Sequence, residues 1–339
     1  MAIQHLAFLT PGNYPAERPA HGLEQALQLF VLGERLGYDS AWVRQRHLES
    51  AISSPTTFLA AASQRTSRIG LGTAVIQMGY ENPFRLAEDL ATVDLLAGGR
   101  LQVGLSAGAP PHGTLLGERL FDGDPAGIDF SHQRIARLRA NLGGEPFGDA
   151  DRWIESPAGR ERPRIQPVAP GLGQRLWYGG GSLQSAQWAA RHGLHLLLGN
   201  LNRGEQTDDF FTAQRQHVER FRAEWNGTGR ARLALGRVIV PTDSADAVSR
   251  RRYAAFAASR HERTLAPQGE RRTLFAPDLV GSAGQIIESL LRDPILPLVE
   301  ELRLELPYGL DLEDYAQILQ DTRDRIAPAL GWSALALAA

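Results

Sequence analysis

The sequence contains no cysteine and no lysine; all 36 of its basic residues are arginine. Without cysteine, disulfide frameworks, thiolate zinc sites, iron–sulfur clusters and thiol nucleophiles are excluded. Without lysine there is no Schiff-base amine, no lysine general base and no phosphate-loop lysine. Charge of one sign is also lacking. A formal net charge of -2 gives no electrostatic case for nucleic acid or for an anionic membrane surface as a partner. No apolar run approaches the roughly 20 residues that span a bilayer, and the tail WSALALAA is far shorter. The opening MAIQHLAFLTPGNYP has neither a charged leader nor a long apolar core, so the expected location is the cytoplasm.

What is present is a repeated alternation of short apolar runs and helical periods. Strands are expected at IQHLAFL, SAWV, RIGLGTAVIQ, RLQVGLSAG, LWYGG, LHLLLGN, RLALGRVIV and VEELRLELP. Between them lie amphipathic stretches, several opened by proline (Pro55, Pro83) and closed by glycine (Gly37, Gly98, Gly99). Eight βα units within 339 residues favour a closed (β/α)8 TIM barrel, read as one domain over residues 1–339. Function in such a barrel sits in the loops that follow the strands. Here those loops are rich in Gly, Asn, Pro and His, whereas most returning connections are short.

Three constellations fall in these loops. The first is GGGSLQS, where Gly179, Gly180 and Gly181 end a strand and Ser182 and Ser185 open a helix. Bare backbone at a helix N-terminus, with two hydroxyls on one side, suits an anionic group. The same residues also make an ordinary serine cap with tightly packed glycines. The second is RQRHLES. Here His47 titrates near neutral pH and Arg46 is a fixed cation, while a surface charge cluster is the plainer reading. No metal site is expected, because the nine histidines are scattered without ligand spacing. The third comprises strand ends made of small residues, Thr73 and Ala74, then Ser106, Ala107 and Gly108. These leave room for a flat ligand, or simply relieve crowding within the barrel.

Taken in order, LGYDSAWVRQRH, RIGLGTAV, ENPFRLAEDLATVDLLAGGRLQVGLSAG, LWYGGGSLQSAQWAARHGLHLLLGN and LVGSAGQIIESLL resemble the bacterial luciferase-like, flavin-dependent monooxygenase family. The resemblance implies a barrel with flavin at the carboxyl ends of its strands. It places the FMN phosphate on Ser182 and Ser185, a non-proline cis peptide near Thr73–Ala74, and cofactor contacts at Ser106 to Gly108. It further implies an oxidoreductase in which reduced FMN and oxygen oxygenate a small organic substrate. With no nicotinamide-binding fingerprint, a separate flavin reductase is expected, and a homodimer is the expected assembly. A deazaflavin-dependent hydride-transfer enzyme and a non-catalytic flavin-binding protein are the alternatives.

The sequence departs from the luciferase pattern in two places. Arg46 stands where those proteins carry their catalytic histidine, leaving His47, and Ala107 replaces an arginine of the strand-four loop. Arg46 and His47 are therefore the expected polar groups at the reacting edge, with both side chains facing the pocket. The segment Ser259–Asp278 is expected to be an irregular cover over it.

Overall fold

A computed structural model describes residues 3–334; the last apolar residues of the tail, Leu335–Ala339, lie outside it. Eight parallel strands close into a barrel. They are β1 (His5–Thr10), β2 (Ser40–Val43), β3 (Gly70–Gln77), β4 (Leu101–Ser106), β5 (Leu176–Gly179), β6 (His195–Leu198), β7 (Leu233–Arg237) and β8 (Glu301–Glu305). Closure is made by β8 pairing with β1, His5 opposite Glu301 through Leu9 opposite Glu305. The outer layer holds α1 (Pro19–Arg35), α2 (Pro55–Ser63), α3 (Pro83–Leu96), α4 (Gln133–Leu142), α5 (Leu183–Arg191), α6 (Phe210–Ala223), α7 (Ala247–His261), α8 (Ala283–Arg292) and α9 (Leu312–Asp321).

Local chemistry explains the helix ends. Pro83 occupies the first turn of α3, and the Asn82 side chain accepts from the Phe84 and Arg85 N–H groups. Gly37, Gly98 and Gly99 follow their helices at positive φ, which side-chain-bearing residues rarely adopt.

The barrel interior is filled by indoles and charge. Trp42 and Trp177 meet edge to face with ring centroids 5.7 Å apart. A Cβ on Gly72 would overlap the Trp42 ring, so glycine is what admits that indole. Each indole N–H is satisfied, Trp42 donating to Ser40 Oγ and Trp177 to Gln102 Oε1. Below them Arg232 pairs with Glu301 at 2.6 Å. Nearby, His195 packs against Trp177. Burial, aided by the Arg232 charge, lowers the His195 pKa to about 4. Because strand side chains alternate, Glu301, Arg303 and Glu305 share one face of β8, a ladder of charge rising towards the mouth.

Two segments differ from the sequence-based expectation. The run RLALGRVIV is not one strand. Its barrel part ends at Arg237, a buried side chain held by Asp293 and Gln214. Ile239–Pro241 then leaves the barrel to pair with Leu279–Gly281. Nor is Ser259–Asp278 wholly irregular. Its first residues finish α7, and Thr273–Phe275 forms an antiparallel pair with Leu201–Arg203 across the mouth.

Candidate cofactor and substrate site

Two adjoining cavities open at the carboxyl end of the barrel, sharing Arg44, Asn200, Leu201 and Glu305 as walls. The first, of about 190 Å³, is floored by small or apolar groups: Leu9, Ala74, Val75, Leu197 and the three glycines 179–181. The second, of about 260 Å³, lies beneath the Ser259–Asp278 segment and carries Arg44, Arg46, Arg260 and Arg263 beside Phe256, Phe275 and Tyr308.

The floor of the first cavity is shaped by an irregularity in β3. Its pairing with β4 shifts between Thr73 and Ile76, leaving Ala74 and Val75 out of register. The cis peptide joins Ala74 to Val75, one bond beyond the expected place. Ala74 lines the cavity; Thr73, also expected at the cofactor, does not. Its buried hydroxyl donates to Gly104 O at 2.9 Å and accepts from Gly104 N–H at 3.0 Å, tying β3 to β4.

The three glycines divide between the two readings of their run. A Cβ on Gly179 would stand 2.8 Å from Val75 Cγ1, and one on Gly180 3.0 Å from Leu196 Cδ1, so close packing accounts for both. Gly181 faces open space. No neighbouring group accounts for the missing side chain there.

Beyond Gly181, Ser182 caps α5, accepting from the Ser185 N–H at 3.1 Å and donating its own hydroxyl proton to Ser185 Oγ at 2.8 Å. Tyr178, the last buried aromatic of β5, brings its hydroxyl beside Ser185. That hydroxyl also meets His132 Nε2 at 3.0 Å and accepts from the Ala107 N–H at 3.4 Å. Ala107 thus reaches this cluster through its backbone. Ser106 and Gly108 line neither cavity, and the Gly108 N–H donates to Phe130 O. Burial raises the Tyr178 pKa, and the Arg203 charge opposes that rise. Arg203 also joins this rim through its backbone, donating to Gly181 O at 2.8 Å. A carboxylate is present as well: Glu205 accepts from the Leu183 N–H at 2.6 Å and so occupies one donor of the helix start.

Arg46 and His47 part company, which corrects the expectation that both face the pocket. Alternation sends Arg44 and Arg46 to the second cavity and Gln45 and His47 the other way. Gln45 donates to Glu81 at 2.6 Å, and the His47 imidazole stacks on Tyr80 with centroids 3.9 Å apart. Burial lowers the His47 pKa, and its Nε2 is buried without a partner. Arg46 donates to Tyr308 Oη at 2.9 Å, with Glu49 at 3.8 Å.

Sequence reasoning missed the acidic and basic side of the site. Glu305 accepts from Arg44 at 2.7 Å and stands 3.9 Å from Arg303. Arg303 is 3% exposed, lines the first cavity, and leaves Nε and Nη1 unpaired. Burial lowers its pKa to about 10. The charge alternation in EELRLE is the signal that could have found both. In a barrel strand whose outer face is covered by helices, a period-two charge pattern points inward. Arg237 acts from further out, holding Gln214, whose amide donates to Gly199 O at 2.9 Å and so fixes the loop after β6.

Open backbone at Gly181, a floor of small residues, clustered hydroxyls at a helix start, and unpaired guanidinium donors fit a flat ligand with an anionic tail. The chain matches the luciferase-like monooxygenase family over residues 3–291, and belongs to it. It is 39% identical over 107 residues to a 4-hydroxyprotoasukamycin monooxygenase of Streptomyces nodosus subsp. asukaensis, covering 31% of this chain and 29% of that protein. It is 36% identical over 104 residues to a limonene 1,2-monooxygenase of Rhodococcus erythropolis, covering 30% and 27%. The matched stretches thus span less than a third of either relative.

Among solved structures the barrel superimposes on apo-MsnO8 with a TM-score of 0.73, 22% identity, and coverage of 98% of this chain and 100% of that one. The oxygenating constituent of 3,6-diketocamphane monooxygenase from Pseudomonas putida, in complex with FMN, gives 0.70 at 16% identity, covering 97% and 99%. An F420-dependent secondary alcohol dehydrogenase gives 0.62 at 17%, covering 97% and 99%.

Proposed function

We propose that this chain is a flavin-dependent monooxygenase that uses reduced FMN and oxygen on a small organic substrate. The observation that carries the reading is the continuity of a flat, side-chain-poor floor (Ala74, Val75, Gly179–Gly181) with the hydroxyl cluster of Tyr178, Ser182 and Ser185. Membership of the luciferase-like monooxygenase family supports it. When bound, the cofactor supplies electrons and activates oxygen; the protein supplies position and shelter. Ser182 and Ser185 would hold the phosphate, with Arg203 meeting its charge in place of the arginine that Ala107 lacks. Arg303, which lines the first cavity, would offer its free N–H donors to the cofactor. The segment around Arg260, Arg263 and Phe275 would keep water from the second cavity, where substrate binds. A separate reductase would supply reduced FMN, and a dimer is the proposed assembly.

The test begins with the visible spectrum of the protein titrated with FMN and with F420. Oxygen uptake with photoreduced FMN is then followed, with and without candidate substrates. FMN binding with substrate-dependent oxygen transfer is the expected result. Binding of F420 alone would move the protein to deazaflavin hydride transfer. FMN binding with no oxygen reaction would leave a flavin-binding protein without turnover.

A further inference from the structure

The second cavity is lined by guanidinium groups from two separate parts of the chain: Arg44 and Arg46 after β2, and Arg260 and Arg263 in the last turn of α7 and just beyond it, all facing the loop after β8. The carboxylates available to them are few. Glu305 is engaged by Arg44 at 2.7 Å and also faces Arg303. Asp278 is engaged by Arg260 through two bonds, at 2.5 and 3.2 Å, and stands 3.9 Å from Arg263. Glu49 is loosely placed at 3.8 Å from Arg46. Counting Arg303 in the neighbouring floor, five guanidiniums face three carboxylates, and the Arg263 Nε is buried with no hydrogen-bond partner.

The arginines are also held in place. Arg263 lies over the Phe275 ring at 4.3 Å and Arg260 over Phe256 at 4.5 Å, leaving their edges for polar contacts. Excess cation on preorganised forks suits a carboxylate, sulfonate or phosphate group. Phe256, Phe275, Val238 and Leu201 provide apolar wall for the rest of the molecule. At about 260 Å³ the cavity holds the volume of roughly nine water molecules, a ligand on the order of ten heavy atoms.

We infer that this cavity is a substrate subsite selective for a small organic anion with an apolar or aromatic body, its charged group seated between Arg46 and Arg263. The inference rests on the flavin reading only in calling the ligand a substrate. The same anion chemistry could come from the FMN phosphate itself, so the test has an arm for each source.

Benzoate, benzenesulfonate and phenylphosphonate are titrated against neutral benzamide, by calorimetry, into the protein with and without FMN. At least one anion should bind ten or more times as tightly as benzamide. Arg46→Met and Arg263→Met should each abolish that preference while leaving FMN and riboflavin affinities within twofold of wild type. Arg263→Lys should restore part of it. If no anion exceeds benzamide in either form of the protein, the inference falls, and normal FMN binding would show that the flavin reading survives. If the arginine variants weaken FMN by tenfold or more but spare riboflavin, the cavity holds the cofactor phosphate and the inference is equally overturned. Failure of FMN to bind at all, with anion preference intact, would remove the flavin reading and leave the anion site.

Discussion

The rim after β5 and the rim after β8 border one mouth but are built from opposite chemistry. After β5 the chain offers backbone and hydroxyls: open space at Gly181, then Ser182 and Ser185 hydrogen-bonded to each other. Around β8 it offers full charges: Arg303 and Glu305 buried within the strand, joined by Arg44 from just after β2. The first kind of site is local in sequence, because a helix start and its cap lie within a few residues. The second is assembled by topology, and its members are strangers in the sequence. A hydroxyl cluster can open to admit a ligand at modest cost. A buried charge ladder must stay complete or the barrel pays for it.

That contrast predicts unequal responses to mutation. Glu305 stands between two guanidiniums, so Glu305→Leu leaves buried cations without their carboxylate and should cost about 3–5 kcal/mol of folding stability. Urea denaturation of the protein without ligand measures this. A loss below about 1 kcal/mol would mean that the ladder is solvated and the contrast overstated.

His195 at the barrel floor gives the next effect. It is held neutral in the folded state down to about pH 4, whereas the unfolded chain takes up its proton near 6.5. The unfolded state then binds more protons between those values. Stability should be fully present above about pH 6.5 and fall by about 3 kcal/mol as pH drops to 4. Urea midpoints measured across that range should show a markedly shallower decline in His195→Gln.

The smallest effect belongs to the β5 rim. Glu205 places a negative charge on the Leu183 N–H, beside the proposed phosphate position. Glu205→Gln should tighten FMN by about two- to fivefold, the 0.3–1 kcal/mol of one charge at a helix end, and leave riboflavin unchanged. Equal effects on both flavins would place the phosphate elsewhere.

How much could be read from the sequence follows the same division. The eight strands and the helix starts at Pro55 and Pro83 were legible, since hydrophobic period and proline or glycine punctuation are local signals. So was Ser182 as a cap. The direction of His47 was not, because a loop residue's facing depends on the extended backbone that carries it, and here alternation turns it onto Tyr80. Thr73 looked like a small residue at a cavity, yet the β3 irregularity begins just after it and leaves it within the sheet. Arg260 and Arg263 lie more than 200 residues from Arg46, and no pattern in one chain announces that they meet. The charges of EELRLE were visible as alternation, but assigning them to the interior required knowing that the outer face of β8 is covered.

Whether the β5 rim is a phosphate site is tested most directly by the ratio of FMN to riboflavin affinity. Kd values for both flavins should be measured for wild type, Ser182→Ala and Ser185→Ala. Losing one hydroxyl contact to a charged group costs about 1.5–3 kcal/mol, so each substitution should weaken FMN at least tenfold while riboflavin changes little. If both variants keep the wild-type FMN affinity, or lose FMN and riboflavin equally, the hydroxyl pair only caps α5 and the central claim is contradicted.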